Sequence, residues 1–457
     1  MKTCKVLMPI GSLGAGINPE TFKLGLDMKP DVIAVDAGST DSGPGYLANG
    51  MCKYTRPALK NDISIVVLAA KKAGIPLFIG SCGTCGTDNM VDHFAEIVEE
   101  IFKENNFTGK IAKVYSQQDA GIIKKKYDEG KIHALECAPK ISRETFDECN
   151  NIVALLGAEP FIEAYKNGAE VVLGGRATDT ANIAALPIHM GCNVAAAWHG
   201  AKVVECGAQC TDNSKDMGVF LTVDEEGFKV TPLGPNTRCT PYTVSAHLLY
   251  ETSDPYNLVE PSGTIMARDA VYTQMDERSV YVKGTHFEPA KQYTMKLEGA
   301  AITGYQNISL VGIVNRKVLA DPEKWIKNIS GYVNKLIQKV GISAEDYSFN
   351  FKAYGYNAVV EGPVPEGTPP PREIGMLLTV TAKTQELANQ IGKIFNAYLL
   401  HFPPDITADF NYDHLPSYAF PFSPVDCPRG PTCEFKLYHV VDTNDPFELV
   451  RFEYINI

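Results

Sequence analysis

The stretch "PLFIGSCGTCGTDNM", Pro76 to Met90, carries the reading of the fold. "PLFIG" is a short apolar run without alternation, the pattern of a strand buried on both faces. A loop of glycine, serine, threonine and cysteine follows, and then a helix is predicted from about Asp88 to Lys103. Met90, Phe94, Ile97, Val98, Ile101 and Phe102 make its apolar stripe, with Asp92, Glu96, Glu99 and Lys103 away from it.

The same order recurs on either side. "KVLMP" (Lys5–Pro9) leads into "IGSLGAGINPE", where Asn18 can cap a helix and Pro19 can occupy its first turn. "DVIAVDAGSTDSGPG" begins at Asp31, "KIAKVYSQQD" at Lys110 and "EVVLGGRATDTANIAAL" at Glu170. Strands alternating with helices predict an α/β domain with a parallel sheet, whose ligands sit at the carboxyl ends of the strands. All five polar loops leave such ends. From about Asp212 the texture changes to strand-like segments such as "GVFLTV", "FKVTPL", "QYTMKLEG", "ISLVGIV" and "MLLTVTA". Helices are predicted there near Pro241–Thr252, Asp321–Val340 and Thr384–His401. Two domains are therefore expected: residues 1–211 as α/β with glycine-rich ligand loops, and 212–457 as α+β with a mixed or antiparallel sheet.

A net charge of −12 argues against nucleic acid or an anionic membrane as partner. No segment approaches the roughly 18 apolar residues of a membrane span. The N-terminal "MKTCKVLMPIGSLGAG" has no long apolar region, and the twelve cysteines are expected as reduced thiols of a cytoplasmic protein. Homo-oligomeric assembly is also expected.

The loops carry the candidate chemistry. Gly11, Gly14 and Gly16 have the spacing GxxGxG, the reverse of the dinucleotide fingerprint, although Asp36 stands where a ribose-binding acid would. With Ser12 they form a candidate anion or carboxylate loop. Cys82 and Cys85 make a CxxC before a helix, which permits redox or nucleophilic chemistry but supplies only two of the ligands zinc needs. Ser81, Gly83, Thr84 and Gly86 around them read as a ligand loop. In "LGGRATDTAN", Gly175 and Arg176 can grip a carboxylate or phosphate, with Asp179 orienting the arginine or holding a divalent metal. "AAWHGAKVVECGAQC" brings His199, Lys202, Glu205 and Cys206 within eight residues, and His and Glu suit acid/base work. Arg238, His247 and Glu251 follow, the last two spaced for a His–carboxylate pair or two metal ligands.

Taken together, "GGRATDTA", "WHGAKVVECGA", "RCTPYTVSAHLLYE", "DPYNLVEPSG" and "KLEGAAITGYQ" resemble the acyclic terpene utilization protein A (AtuA)-like family. The end, "EFKLYHVVDTNDPFELVRFEY", resembles its small AtuA-related domain. The resemblance implies a catabolic enzyme acting near branched organic acids or their CoA thioesters. Its patterns fall on Gly174, Gly175, Arg176 and Asp179, and on His199, Lys202, Glu205, Cys206 and Gly207. The loop "SCGTCGT" departs from the family's small-residue stretch, so no role for the CxxC is implied.

The expectation is a lyase-type enzyme for a small carboxylate or acyl-CoA thioester, working by hydration–dehydration or carbon–carbon cleavage. Glu205 and His199 are its base and acid, while Arg176, Lys202, Arg238 and the glycine loops hold the anion. No cofactor is expected, though a divalent metal is compatible. The alternatives are a hydrolase with Cys82 or Cys85 as nucleophile, and a non-catalytic subunit that binds an organic acid or CoA ester.

Overall fold

The structure is a computed structural model that describes residues 2–216, 218–249, 254–360, 362–405 and 419–457. The chain forms two compact units, Met1–Ala301 with Phe435–Ile457, and Ile302–Glu434.

Five strands of the first unit lie side by side and parallel. They are β1 (Cys4–Met8), β2 (Val32–Asp36), β3 (Leu77–Gly80) and β4 (Lys110–Tyr115), joined by β7 (Val171–Gly174) after two short strands, β5 (Ile132–Ala134) and β6 (Asn151–Ala154), outside the row. Their order is β1-β2-β3-β7-β4, with neighbours parallel throughout. These are the five strands whose loops are polar, so the parallel sheet expected from the sequence is present.

Burial explains why these strands are mainly apolar, with lysines confined to β1 and β4. Leu7, Ile33, Val35, Leu77, Ile79 and Leu173 enter one core with the helix Asp88–Glu104. Val6, Val32, Ala34, Phe78 and Val172 enter the other, against helices Ala181–His189 and Val194–Val204. β2, β3 and β7 are buried along their whole length on both faces, so neither face can carry a polar residue cheaply.

The sheet does not stop at residue 211. β8 (Val219–Val223) pairs antiparallel with β1, and β9 (Gly227–Pro232) pairs with β8. The hairpin β10 (Asn257–Glu260) and β11 (Gly263–Met266) stands apart, whereas β12 (Val271–Gln274) and β13 (Val280–Lys283) continue the large sheet beyond β9. β14 (His286–Pro289) joins the hairpin through β11. The expected boundary after residue 211 is thus corrected. The change in texture there marks a switch from parallel to antiparallel neighbours within one sheet.

β15 (Thr294–Ile313) merges two segments expected as separate strands. Its residues Leu297–Ala300 pair with β6 in the first unit. In the second unit its residues Tyr305–Ile313 pair with β17 (Ile374–Ala382), which also pairs with β16 (Tyr347–Tyr354). Helices Pro322–Lys339 and Gln385–His401 share that unit's core through Trp325, Ile329, Ile391 and Phe395. β18 (Ala419–Asp442) precedes β19 (Arg451–Asn456), which closes the far edge of the ten-stranded sheet against β4. Of the helix expected near Pro241–Thr252, the described part is Pro241–Ala246 with a 3-10 turn His247–Leu249. Glu251, and with it the expected His247–Glu251 pair, lies outside the described residues. Among the described residues no helix is long and apolar enough to cross a membrane.

Candidate functional site

Two cavities in the first unit open beside the carboxyl ends of β1, β2 and β7. The first, about 650 Å³, is lined by Gly11, Ser12, Asp36, Lys53, Asp179, Glu205 and Cys206 among others. The second, about 470 Å³, is lined by Arg176, Asp179, Lys202, Glu205, Glu260 and Lys296 among others. Ser39, Asp41, Asp179 and Glu205 border both.

Arg176 follows β7 and is 3% exposed. Its Nε donates to Glu298 Oε2 (3.1 Å), Nη2 to Thr40 Oγ1 (3.1 Å), and Nη1 to Ser81 Oγ (3.1 Å), the Ala177 carbonyl (3.2 Å) and Asp179 Oδ1 (3.4 Å). Thr40 in turn donates to Glu298 Oε2 at 2.9 Å. Lys296 holds the other oxygen of Glu298 at 2.9 Å. Burial disfavours the Glu298 charge, yet Arg176 and Lys296 outweigh it and bring its pKa down to about 2. The arginine expected to clamp a substrate carboxylate is therefore engaged by an internal one. Its buried position leaves it lining the second cavity rather than standing open in it.

The shared wall holds a second ion pair. Glu205 caps the helix Val194–Val204, one turn after Lys202, whose Nζ donates to Glu205 Oε1 at 2.5 Å. Burial raises the Glu205 carboxyl well above its usual range, with Asp179 and Glu260 adding and Lys202 opposing. Burial also works against the Lys202 ammonium, but Glu205, Asp179 and Glu260 outweigh it and keep it charged.

Two further carboxyls flank this pair. Asp36 ends β2, and its Oδ2 accepts from the Gly38 N–H at 3.0 Å. Burial and the neighbouring Asp179 push it up to about 8, against Arg176. Glu260 ends β10, where alternation places it on the buried side with Leu258. Its Oε1 accepts from Thr180 Oγ1 at 2.6 Å, and burial raises it to about 7 despite that bond. In each, the second oxygen (Asp36 Oδ1, Glu260 Oε2) is buried and has no hydrogen-bond partner among the described residues.

Several expected site residues are elsewhere or otherwise engaged. Gly14 and Gly16, both at positive φ, donate their N–H groups to Asp62 Oδ2, each at 2.9 Å, and the Ile17 N–H reaches Asp62 Oδ1 at 3.1 Å. The anion that this glycine loop binds is the chain's own buried Asp62, which leaves Gly11 and Ser12 at the cavity. The loop after β3 is sealed. The N–H groups of Ser81 and Cys82 bond the carbonyls of Gly175 and Gly174, and those of Thr84, Cys85 and Gly86 bond within the loop. A Cβ on Gly86 would stand 1.9 Å from the Arg176 nitrogen, and one on Gly175 would stand 2.6 Å from Ser116 Oγ. The glycines let two loops touch; Ser81, Gly83, Thr84, Gly86 and Gly175 line neither cavity.

Cys82 and Cys85 are buried, form no disulfide, and have thiols raised by desolvation. A nucleophile needs the opposite shift. His199 is fully buried, with Nδ1 on Thr285 Oγ1 (2.6 Å), Nε2 facing the Tyr272 hydroxyl (3.3 Å) and Phe228 edge-on at 5.0 Å. Burial lowers it to about 3, so it is a neutral packing residue and lines neither cavity. Arg238 is exposed and paired with Asp212 at 2.9 Å.

Glu260, Glu298, Lys296 and Thr40 were not anticipated. The two glutamates lie within "DPYNLVEPSG" and "KLEGAAITGYQ", both among the stretches that carry the family resemblance. For Glu260, an acid at the end of a strand whose buried face is otherwise apolar was the signal that could have found it; Glu298 lies inside a long strand and carries no such signal.

Comparison with curated proteins gave no match, and comparison with solved structures gave none. A family model described as the acyclic terpene utilisation family protein AtuA matches residues 48–425. That range contains Arg176 with Ser81, Asp179, Lys296 and Glu298, the Lys202–Glu205 pair and Glu260; Asp36 and Thr40 lie before it, and it ends before the resembling segment 434–454. With most of its length matched, the chain belongs to the acyclic terpene utilisation AtuA family.

Proposed function

We propose that the chain is an acid/base enzyme of the lyase type, acting on a small carboxylate or acyl-CoA thioester by hydration–dehydration or carbon–carbon cleavage. The observation that supports this best is the pair of buried carboxyls, Asp36 and Glu260, in the walls of two cavities with a common border. A carboxyl held near neutrality can take a proton from carbon beside a carbonyl and return it at neutral pH. Lys202 and Lys296 in the wall of the second cavity offer positive charge to a carboxylate or a developing enolate. The absence of disulfides among the cysteines supports a reducing, cytoplasmic setting as part of the same proposal.

The reading is tested by finding ligands in a thermal-shift screen of organic acids and CoA esters, then following each in D2O by proton NMR. Turnover, or exchange of a carbon-bound proton, is expected for at least one ligand. Glu260→Gln is expected to slow it by about 100-fold or more. Ligands that shift the melting temperature but neither turn over nor exchange would overturn the enzyme reading in favour of a binding subunit.

A further inference from the structure

We propose that Glu205, Cys206 and His247 form a binding site for one divalent transition-metal ion of the zinc type, bordering the first cavity. One carboxylate oxygen, the thiol sulfur and one imidazole nitrogen of these residues all lie within 4.8 Å of one another. A tetrahedral ion with bonds of roughly 2.0–2.3 Å sets its donors about 3.5 Å apart, so small side-chain adjustments close the set. Among the described residues no other group of three His, Cys, Asp or Glu side chains brings its donor atoms this close.

The donors come from two stiff supports. Glu205 and Cys206 are consecutive, at the junction of the helix Val194–Val204 and the 3-10 turn Gly207–Cys210. His247 opens the 3-10 turn that follows the helix Pro241–Ala246, which has the Thr240–Thr243 capping box at its start. Gly11 fixes the approach of the first loop, since a Cβ there would stand 2.7 Å from the Cys206 carbonyl carbon.

The chemistry of the set selects the ion. Magnesium and calcium take oxygen donors, whereas thiolate with imidazole and one carboxylate suits zinc and its neighbours. Three protein ligands with a cavity alongside is the catalytic rather than the structural arrangement, because a fourth position remains for water or a substrate oxygen. Glu205 and Cys206 both line the first cavity, which supplies that room. Lys202, donating to Glu205 Oε1, restrains the carboxylate as outer-shell partners do. An ion there adds a Lewis acid beside the carboxyls of the preceding proposal.

The test uses full-length, untagged protein stripped with chelator and titrated with Co2+, then with Zn2+ in competition. The expected result is one cobalt per chain, a thiolate-to-cobalt charge-transfer band in the near ultraviolet, and displacement by zinc. Cys206→Ser should abolish the band. His247→Ala should weaken binding by more than the roughly 10–100-fold lost with an outer-shell partner. Cys137→Ser, at an exposed cysteine, should change neither. A wild-type protein that binds no cobalt, or binds it without the thiolate band, overturns the proposal, as does a Cys206→Ser protein that keeps the band. The wild-type spectrum decides the matter even where a variant fails to fold, and neither readout depends on enzymatic activity.

Discussion

The loops after β1 and β3 look alike as sequence, each a glycine-rich turn between a buried strand and a helix, yet they do different work. The first gives Gly11 and Ser12 to a cavity and binds Asp62 with its second half. The second gives nothing to either cavity and packs its backbone onto the loop after β7. Glycine in these turns reports where backbones come close or turn left-handed. Whether a ligand is also bound depends on what already occupies the N–H groups. In this chain the occupants are a side chain from a distant helix and the carbonyls of the neighbouring loop.

The largest test of that contrast is Gly86→Ala. A Cβ at φ +62° and 1.9 Å from the Arg176 backbone has nowhere to go. The variant should lose about 5 kcal/mol in urea unfolding or fail to accumulate folded. A melting temperature within a degree or two of wild type would show that the two loops are not in contact. Next comes Asp62→Ala, which strands the buried N–H groups of Gly14 and Ile17 and the part-buried one of Gly16, and should cost about 3 kcal/mol. Ligand affinity at the cavity should change little, because Asp62 is structural. A large loss of affinity with little loss of stability would reverse the assignment.

A third effect concerns pH. Asp36 and Glu260 have folded-state pKa values above their unfolded ones, so the native state holds protons that the unfolded state releases. Their contribution is fully present below about pH 4 and is lost as pH rises through about 7 to 8. Glu260→Gln should therefore flatten the fall in stability between pH 5 and 8, by up to about 3 kcal/mol at the alkaline end. An unchanged pH slope would place Glu260 in an ordinary solvated setting. The smallest effect is Gly16→Ala, where nothing lies within 4 Å and only the positive φ resists the change. It should cost about 1–2 kcal/mol. The ratio between Gly86→Ala and Gly16→Ala measures directly how much of each loop's glycine content serves contact and how much serves conformation.

Much of the fold was legible because local signals agreed with it. The apolar runs of β1, β2, β3, β4 and β7 and the stripe from Met90 to Phe102 placed a parallel sheet and its helix where they are found. The domain boundary was not legible, because β8 and β9 read as antiparallel texture and nothing local says that they pair with β1. The site was half legible. Asp36, Asp179, Lys202 and Glu205 stand at cavity walls, and the sequence could single them out because loops at strand ends and a helix terminus are local features. Glu260 and Glu298 arrive from strands 80 or more residues past Arg176 and Thr180, which only tertiary pairing reveals. His199 misled for the opposite reason: a polar side chain inside an otherwise apolar helix looks functional until its partners Thr285 and Tyr272 are known.

The central claim is that the carboxyl-lined cleft, and not the cysteine loop, performs the chemistry. Deuterium incorporation into a bound ligand in D2O, compared between wild type, Glu260→Gln and the double variant Cys82→Ala with Cys85→Ala, tests it directly. Exchange should fall about 100-fold or more in Glu260→Gln and stay within about twofold in the cysteine variant. Exchange that survives in Glu260→Gln but disappears with the two thiols would contradict the account.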